Sequence, residues 1–463
     1  MLKLIQNEFG KIFHKRSTYI LIAIMVLLNV GLQMILRFVV EPNRNNYYVE
    51  DESDLRYQID YAKSSKYEGY ELDIEFYQYA VDHELYNLYE GWKGDALREA
   101  YYTYRQPLLY EKDFLTEEEK NTLEKNFQDI LDAVEKDDWR SYYAFQVKVI
   151  NENQEYSAEE KESQIFFYQY MLDENIEPGT KDWREECAQT ISNIKSQILS
   201  MEQANSGNQE ENEELKTLKE NLKIYEYQLE HNIKTVMGTS EMNISLTGFW
   251  NNLYSSISFT LISCIFMVII AGGIVSREFT TGTIKFLLIN PVSRKKIIVS
   301  KFFTVVVLSY ALLAVQYLLN LLTGAILYGG VGDTAAYLYI AGDTVKSMSG
   351  YLYIMRQYLL ESIGMMVTVA MAFAISSLLR SASIAIGISL ACLLAGSTLA
   401  GVMSALGLDW GRYLLFSNIM VNDIANGNTF FAYQTVKEAM IIIIVYMVVF
   451  LLTAYDGFVR REV

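Results

Sequence analysis

Residues 276–301 read SREFTTGTIKFLLINPVSRKKIIVSK, and this stretch decides how the rest of the chain is interpreted. It contains six basic residues and a single acid, Glu278, and it separates two long apolar segments. Short basic loops between membrane-length segments stay on the cytoplasmic side of a membrane. The stretch therefore predicts a cytoplasmic loop between two transmembrane helices.

The interior of this loop predicts a short amphipathic helix. Ile284, Leu287 and Leu288 share one helical face at i, i+3 and i+4 spacing. Pro291 ends the helix because proline has no backbone N–H to donate. A loop that presents its own apolar face is suited to bind a partner.

Six segments are apolar over membrane length, which is about 20 residues for a helix that crosses the hydrocarbon layer. We number these predicted spans one to six; they cover residues 19–40, 254–275, 302–327, 358–379, 384–406 and 439–455. The predicted fold class is an all-α polytopic membrane protein. Basic residues cluster in residues 1–18, in the 276–301 loop and in the tail 456–463, which predicts that both termini are cytoplasmic.

The stretch between the first two spans differs in charge from the rest of the chain. Residues 41–250 carry 46 acids and 21 bases, whereas the remaining residues carry 10 acids and 18 bases. Capping boxes and apolar residues at helical spacing predict an extracellular domain that is helical throughout. Apolar residues at 3-4 spacing predict a coiled-coil-like αα-hairpin over residues 181–236. The acidic surface of this domain either attracts cationic ligands or is a helical surface whose charges are only solvated.

Polar residues within the spans are candidates for a transport pathway. Gln316, Asn320 and Thr323 form an i, i+4, i+7 stripe in the third span, where they line a pathway or bond a neighbouring helix. Glu361 is an ionisable residue near the outer end of the fourth span. It is either a functional group within the membrane or a side chain that extends to the membrane–water interface.

Several classes of protein are excluded by residues that the sequence lacks. Three scattered histidines and three scattered cysteines give neither metal-ligand spacing nor a disulfide framework. Basic surface occurs only in short loops beside apolar segments, which argues against nucleic-acid binding. The sequence contains no G-x-x-x-x-G-K-[ST] phosphate loop, so any ATP-driven work would need a partner ATPase.

The six-span plan and the 276–301 loop together resemble the ABC-2 family, the permease subunits of bacterial ABC transporters. The loop matches that family's E…GT…LL..P.SR……K pattern at Glu278, Gly282, Thr283, Leu287, Leu288, Pro291, Ser293, Arg294 and Lys301. The resemblance covers about 26 residues directly. The large insert between the first two spans departs from the compact members of the family.

The resemblance implies a function and a set of partners. The 276–301 loop would be the coupling helix that binds an ABC ATPase, with Glu278, Gly282, Thr283, Ile284, Leu287, Leu288, Pro291 and Arg294 as its coupling residues. Residues 1–18 would be an interfacial helix, and residues 407–437 a re-entrant segment. The chain would not be an enzyme; two ATPase copies would hold ATP and Mg²⁺.

The expected complex is a homo- or heterodimer of permease subunits in a bacterial plasma membrane. It would export a peptide, a lipid or a lipid-linked molecule. The alternative is a membrane receptor whose acidic extracellular domain binds a ligand, such as a cationic peptide, and signals inward without transport. Flux measured in vesicles would separate the two functions.

Overall fold

The structure is a computed structural model that describes residues 1–40, 51–86, 88–89, 91–180, 182–204, 209–237, 248–283, 292–332, 334–432 and 434–460. The chain divides into two compact units. The membrane unit comprises Met1–Arg44, Met237–Tyr337 and Met348–Val463, and the insert unit comprises Asn45–Val236 and Leu338–Ser347.

Among the described residues, six helical segments of the membrane unit are long and apolar enough to cross a membrane, so the fold is that of an all-α polytopic membrane protein. Spans one to six are Arg16–Val40, Gly248–Ile274, Arg294–Leu327, Gly350–Leu378, Ala382–Ala405 and Val436–Val459. The shorter helices described in this unit are Leu2–Phe13, Ser276–Thr280, Asp409–Tyr413, Leu415–Ser417 and Val421–Ala425.

Most spans are longer than the apolar segments that predicted them. Span three begins at Arg294 rather than at residue 302, and span four begins at Gly350 rather than at residue 358. Hydrophobicity locates the part of a helix that matches the bilayer, but basic and polar residues can continue the same helix beyond it. Within the predicted 276–301 loop, one described helix ends at Thr280 and the helix of span three begins at Arg294.

The core of the membrane unit forms where spans two, three and four pack together. Met267, Val305, Ile354 and Phe373 are among its most deeply buried side chains. Span four is the most buried of the six spans, since buried residues recur along its length from Gly350 to Ser377. Spans one and six expose more of their apolar surface.

The insert unit is a helical domain with its own core. Its helices are Glu52–Ser65, Tyr70–Asp82, Gly91–Glu99, Ala100–Arg105, Gln106–Tyr110, Glu117–Glu135, Trp139–Glu152, Ala158–Asp173, Trp183–Ala204 and Gln209–Glu230. Leu55, Leu97, Ile130 and Met171 are fully or almost fully buried in the core. Burial of these side chains supplies the main driving force for the domain to fold.

The predicted αα-hairpin is confirmed by the last two helices of the insert unit. Glu202 Oε1 lies 2.6 Å from Lys219 Nζ, and Glu226 Oε1 lies 3.5 Å from Lys195 Nζ. As residue numbers rise on one helix they fall on the other, so the helices are antiparallel. The turn predicted between them, residues 205–208, lies outside the described residues.

The prediction that the insert is helical throughout was wrong at its end. Strand β1 (Thr235–Met237) pairs with β2 (Ala335–Ala341), which pairs with β3 (Thr344–Ser349). The preceding helix cannot continue into β1 because Asn232 adopts a left-handed conformation with φ of 51°. Gly342, with φ of 68°, makes the tight turn between β2 and β3.

Candidate functional site

Four charged side chains meet beside the loop between spans two and three, and we call them the ion cluster: Glu8, Lys11, Glu278 and Lys301. Lys301 Nζ lies 2.7 Å from Glu8 Oε2 and 3.2 Å from Glu278 Oε1. Lys11 Nζ lies 3.2 Å from Glu8 Oε1 and 3.0 Å from Glu278 Oε1. Each lysine thus bridges both carboxylates.

The cluster is largely withdrawn from solvent. The side chain of Lys301 is only 1% exposed, those of Glu8 and Glu278 are 8% and 12% exposed, and that of Lys11 is 39% exposed. Lys301 also donates to the Ile274 carbonyl at 3.3 Å. A buried ammonium group is stable only when protein groups replace its lost water, and these three acceptors do so.

The local sequence positions each member of the cluster. Glu8 lies on the apolar face of helix Leu2–Phe13, because Ile5 precedes it by three residues and Ile12 follows it by four. Glu278 belongs to the short helix that follows span two, and Lys301 lies two turns inside the helix of span three.

Two members of the ion cluster, Glu278 and Lys11, keep their charges at neutral pH. Burial by itself raises the pKa of Glu278, but the charge of Lys301 and hydrogen bonds from Thr283 and Lys11 hold the pKa at about 2. Burial likewise lowers the pKa of Lys11, but its hydrogen bond to Glu278 and the charge of Glu8 outweigh that effect and raise the pKa. Glu278 is therefore an anion and Lys11 a cation at neutral pH.

The predicted coupling residues are only partly within the described part of the chain. Outside it lie Ile284, Leu287, Leu288 and Pro291. Gly282 has a φ of 72°, a left-handed conformation that favours glycine, and it follows the short helix of Glu278. Thr283 donates a hydrogen bond to the Glu278 carboxylate. These residues form the start of the loop.

Both flanks of residues 284–291 are bonded to distant parts of the membrane unit. On one side, Thr280 Oγ1 donates to the Arg380 carbonyl between spans four and five, at 3.0 Å. On the other side, Arg294 Nη1 donates to the Val459 carbonyl at the end of span six, at 3.5 Å. Glu278 is bonded to the ion cluster and Arg294 to the end of span six, so neither residue depends on the other for a partner.

The polar stripe of span three is buried and bonded to neighbouring helices. Gln316 and Asn320 are 0% exposed, and Thr323 is 8% exposed. Gln316 donates to Asn29 of span one at 3.1 Å, and it accepts a hydrogen bond from Ser263 of span two. Gln316 therefore bonds to two neighbouring helices, while the role of the stripe in a pathway stays a prediction.

Asn320 connects three spans. It accepts a hydrogen bond from Gln33 Nε2 of span one at 2.7 Å, and it donates to the hydroxyl of Tyr358 in span four at 2.8 Å. The Tyr358 hydroxyl in turn donates to the Ser256 carbonyl at 3.3 Å. Buried polar groups that satisfy one another in this way fix the relative positions of helices in lipid.

Glu361 lines a pocket of about 520 Å³ in the membrane unit. Asn422 and Asp423, from the segment between spans five and six, line the same pocket. Burial raises the pKa of Asp423. Within the described ranges, neither carboxylate forms an ion pair. The functional interpretation of Glu361 stays a prediction, and the structure adds a second carboxylate to its surroundings.

Residues 221–463 match a protein family described as "Protein of unknown function (DUF2705)". The chain belongs to this family. The matched region contains spans two to six, and with them Glu278 and Lys301 of the ion cluster. Glu8 and Lys11 precede it.

Two proteins of Bacillus subtilis (strain 168) are similar to this DUF2705 chain. "Uncharacterized protein YhcI" is 33% identical over 249 residues, which cover 53% of this chain and 76% of the relative. "Uncharacterized membrane protein YdbK" is 32% identical over 197 residues, which cover 42% of this chain and 76% of that relative. No solved structure matches the chain significantly.

Sequence analysis missed Glu8 and Lys11 as functional candidates and placed Lys301 only within the loop pattern. One signal could have identified Glu8: it is an acid on the apolar face of an amphipathic helix. Lys301 carries a similar signal, because it stands at the border of a long apolar segment. Charged residues in such positions usually have a buried partner of opposite charge.

We expect Asn320→Leu to lower the free energy of unfolding by about 1–3 kcal/mol, because Gln33 and Tyr358 lose a buried hydrogen-bond partner. The measurement is the unfolding temperature of the purified protein in detergent. Tyr310→Phe is the control, since it removes a polar group from an exposed position on the same helix. An unchanged unfolding temperature for Asn320→Leu would contradict the helix-bonding role.

Proposed function

We propose that the chain is the transmembrane permease subunit of an ABC transporter of the ABC-2 type. The observation that carries the proposal is the 276–301 loop, whose sequence resembles the ABC-2 coupling helix. Its flanks are bonded to the N-terminal helix, to the connection between spans four and five, and to the end of span six. A separate ATPase would bind the loop and hydrolyse ATP, and the substrate would be a peptide, a lipid or a lipid-linked molecule.

The ion cluster supports a mechanical role for the loop. Glu278 lies between the end of span two and residues 284–291, and Lys301 links it to span three and to Glu8 of the N-terminal helix. Separating these buried charges would leave them without partners, which costs several kcal/mol. A force applied to the loop would therefore move spans two and three and the N-terminal helix together, because the loop could not bend without separating these charges.

The proposed orientation follows from charge. The basic loop and the basic chain ends would face the cytoplasm, and the acidic insert unit would lie outside the cell. Two permease chains and two ATPase copies would form the complex in a bacterial plasma membrane. The Bacillus relatives support a bacterial setting. ATP and Mg²⁺ would bind to the ATPase, and this chain would contribute no catalytic residue.

The proposal is tested by purifying the tagged chain from its native membrane and measuring Mg²⁺-dependent ATP hydrolysis in the purified fraction. We expect an ATP-hydrolysing chain to remain bound through purification in mild detergent. A membrane protein of similar size, purified by the same tag, controls for adventitious ATPases. Absence of hydrolysis above this control would contradict the proposal and favour the receptor alternative.

A further inference from the structure

A cleft of about 740 Å³ lies beside the ion cluster, where the N-terminal helix, the start of span one and the end of span two meet. Four basic side chains and two acidic side chains line it: Lys11, Lys15, Arg277 and Lys301, with Glu8 and Glu278. The cleft therefore has an excess of two positive charges.

The two acids are already engaged by the ion cluster. Lys11 and Lys301 each contact both carboxylates. Among the residues that the structure describes, Lys15 and Arg277 form no ion pair. The uncompensated charge of the cleft therefore belongs to these two side chains, which lie outside the ion cluster.

Lys15 lies close enough to Arg277 to be affected by its charge. Burial lowers the pKa of Lys15, and the positive charges of Arg277 and Lys301 lower it further, against the opposing effect of Glu278 and Glu8. Arg277 is held close to the cleft because its side chain folds back over Gly273: a Cβ at Gly273 would lie 2.7 Å from Arg277 Nε. Repulsion between two such cations is relieved when an anion binds between them.

The position of the cleft indicates what kind of anion it takes. Span one begins at Arg16 and span two ends at Ile274, so the cleft lies at the level where apolar helices meet the polar interface. Ile270 and Ile274 line it together with the basic residues. Basic pockets between helices at this depth suit the phosphate of a lipid headgroup, with apolar side chains beside the start of its acyl chains.

We propose that this cleft is a binding site for a phosphate group, with Lys15 and Arg277 as its two principal cationic contacts. The neighbouring isoleucines and the interfacial depth favour an anionic phospholipid as the source of the phosphate. The bound headgroup would neutralise the excess charge and would hold the N-terminal helix against the end of span two.

The test measures the unfolding temperature of the full chain in neutral detergent during titration with phosphatidylglycerol. Lys15→Gln with Arg277→Gln is expected to raise the lipid concentration at half-maximal stabilisation about 30-fold. Each cation near the interface contributes about 1 kcal/mol to lipid binding, which is about fivefold in affinity, and the two factors multiply. Lys15→Gln alone is expected to raise this lipid concentration about fivefold. Without lipid, this single variant is expected to be at least as stable as the parent, because one repulsion is removed.

The control is Lys295→Gln with Lys296→Gln, which removes two positive charges from exposed positions outside the cleft. A second titration uses sodium phosphate against sodium chloride at equal ionic strength. Stabilisation by phosphatidylglycerol alone identifies a lipid site. If both phosphatidylglycerol and sodium phosphate stabilise the chain, and the Lys15 and Arg277 substitutions weaken both effects, the site also takes free phosphate. The proposal is overturned if the double variant titrates like the parent, or if the control pair weakens binding equally.

Discussion

Replacing Lys301 by methionine is expected to lower the free energy of unfolding by about 3–5 kcal/mol. Methionine keeps the length and the apolar stem of the side chain, so that the change removes mainly the charge. Glu8 and Glu278 would then lose the cation that lies 2.7 and 3.2 Å from their oxygens, in a place where little water can replace it. The measurement is the unfolding transition of the purified chain in detergent.

Lys11→Met is the matched control for this change. Lys11 contacts the same two carboxylates, but its side chain is 39% exposed, whereas that of Lys301 is 1% exposed. Water screens an exposed ion pair, so the control is expected to cost about 1 kcal/mol or less. Adding Glu8→Gln to Lys301→Met should recover part of the loss. Equal losses for the two lysine variants would show that burial does not govern the cluster.

The effect of Lys301 also depends on pH. The pKa of Glu278 is held at about 2, below its ordinary value of 4.5, so its contribution to stability is complete above pH 4.5 and is lost as the pH falls toward 2. Lys301→Met raises the pKa of Glu278 and removes much of that contribution. The stability difference between the parent and Lys301→Met should therefore narrow on acidification from about pH 5 to pH 3.

Replacing Leu287 and Leu288 by aspartate together is expected to reduce the ATP hydrolysis that co-purifies with the chain about 100-fold or more. Two central apolar contacts of an interface commonly contribute this much, and a buried charge adds a further cost. In the proposed function this loop is the coupling helix, and the sequence predicts that both residues belong to its apolar face. The measurement is Mg²⁺-dependent hydrolysis per mole of purified chain.

The control for this variant is Leu287→Met with Leu288→Met, which keeps the face apolar and of similar volume. The unfolding temperature of each variant shows whether the chain itself remains folded. If the aspartate variant is folded and still retains the hydrolysis activity of the methionine variant, this loop is not the ATPase contact.

Features that depend on local pattern were predictable from the sequence. Six apolar segments of membrane length gave the six spans, because hydropathy reports directly on which helices can cross a bilayer. Apolar spacing over residues 181–236 gave the αα-hairpin. Thr116 and Glu119 form the capping box that their three-residue spacing predicts.

Features that depend on long-range pairing were not predictable in the same way. Glu8 and Lys301 are separated by 293 positions, and the sequence around neither residue predicts that the two side chains form an ion pair. Strands β2 and β3 were missed although residues 335–349 contain a Gly-Asp turn between two runs that favour strands. The stretch lies between two apolar segments of membrane length, a position that is typical of an irregular connection.

A permease that works with a separate ATPase must form a stable complex with it, and the mass of the intact particle from native membranes reports the composition of that complex. We expect native mass spectrometry in mild detergent to show two permease chains, of which this is at least one, with two copies of an ATP-hydrolysing chain. A particle that contains this chain alone, or with partners that bind no ATP, would contradict the permease function.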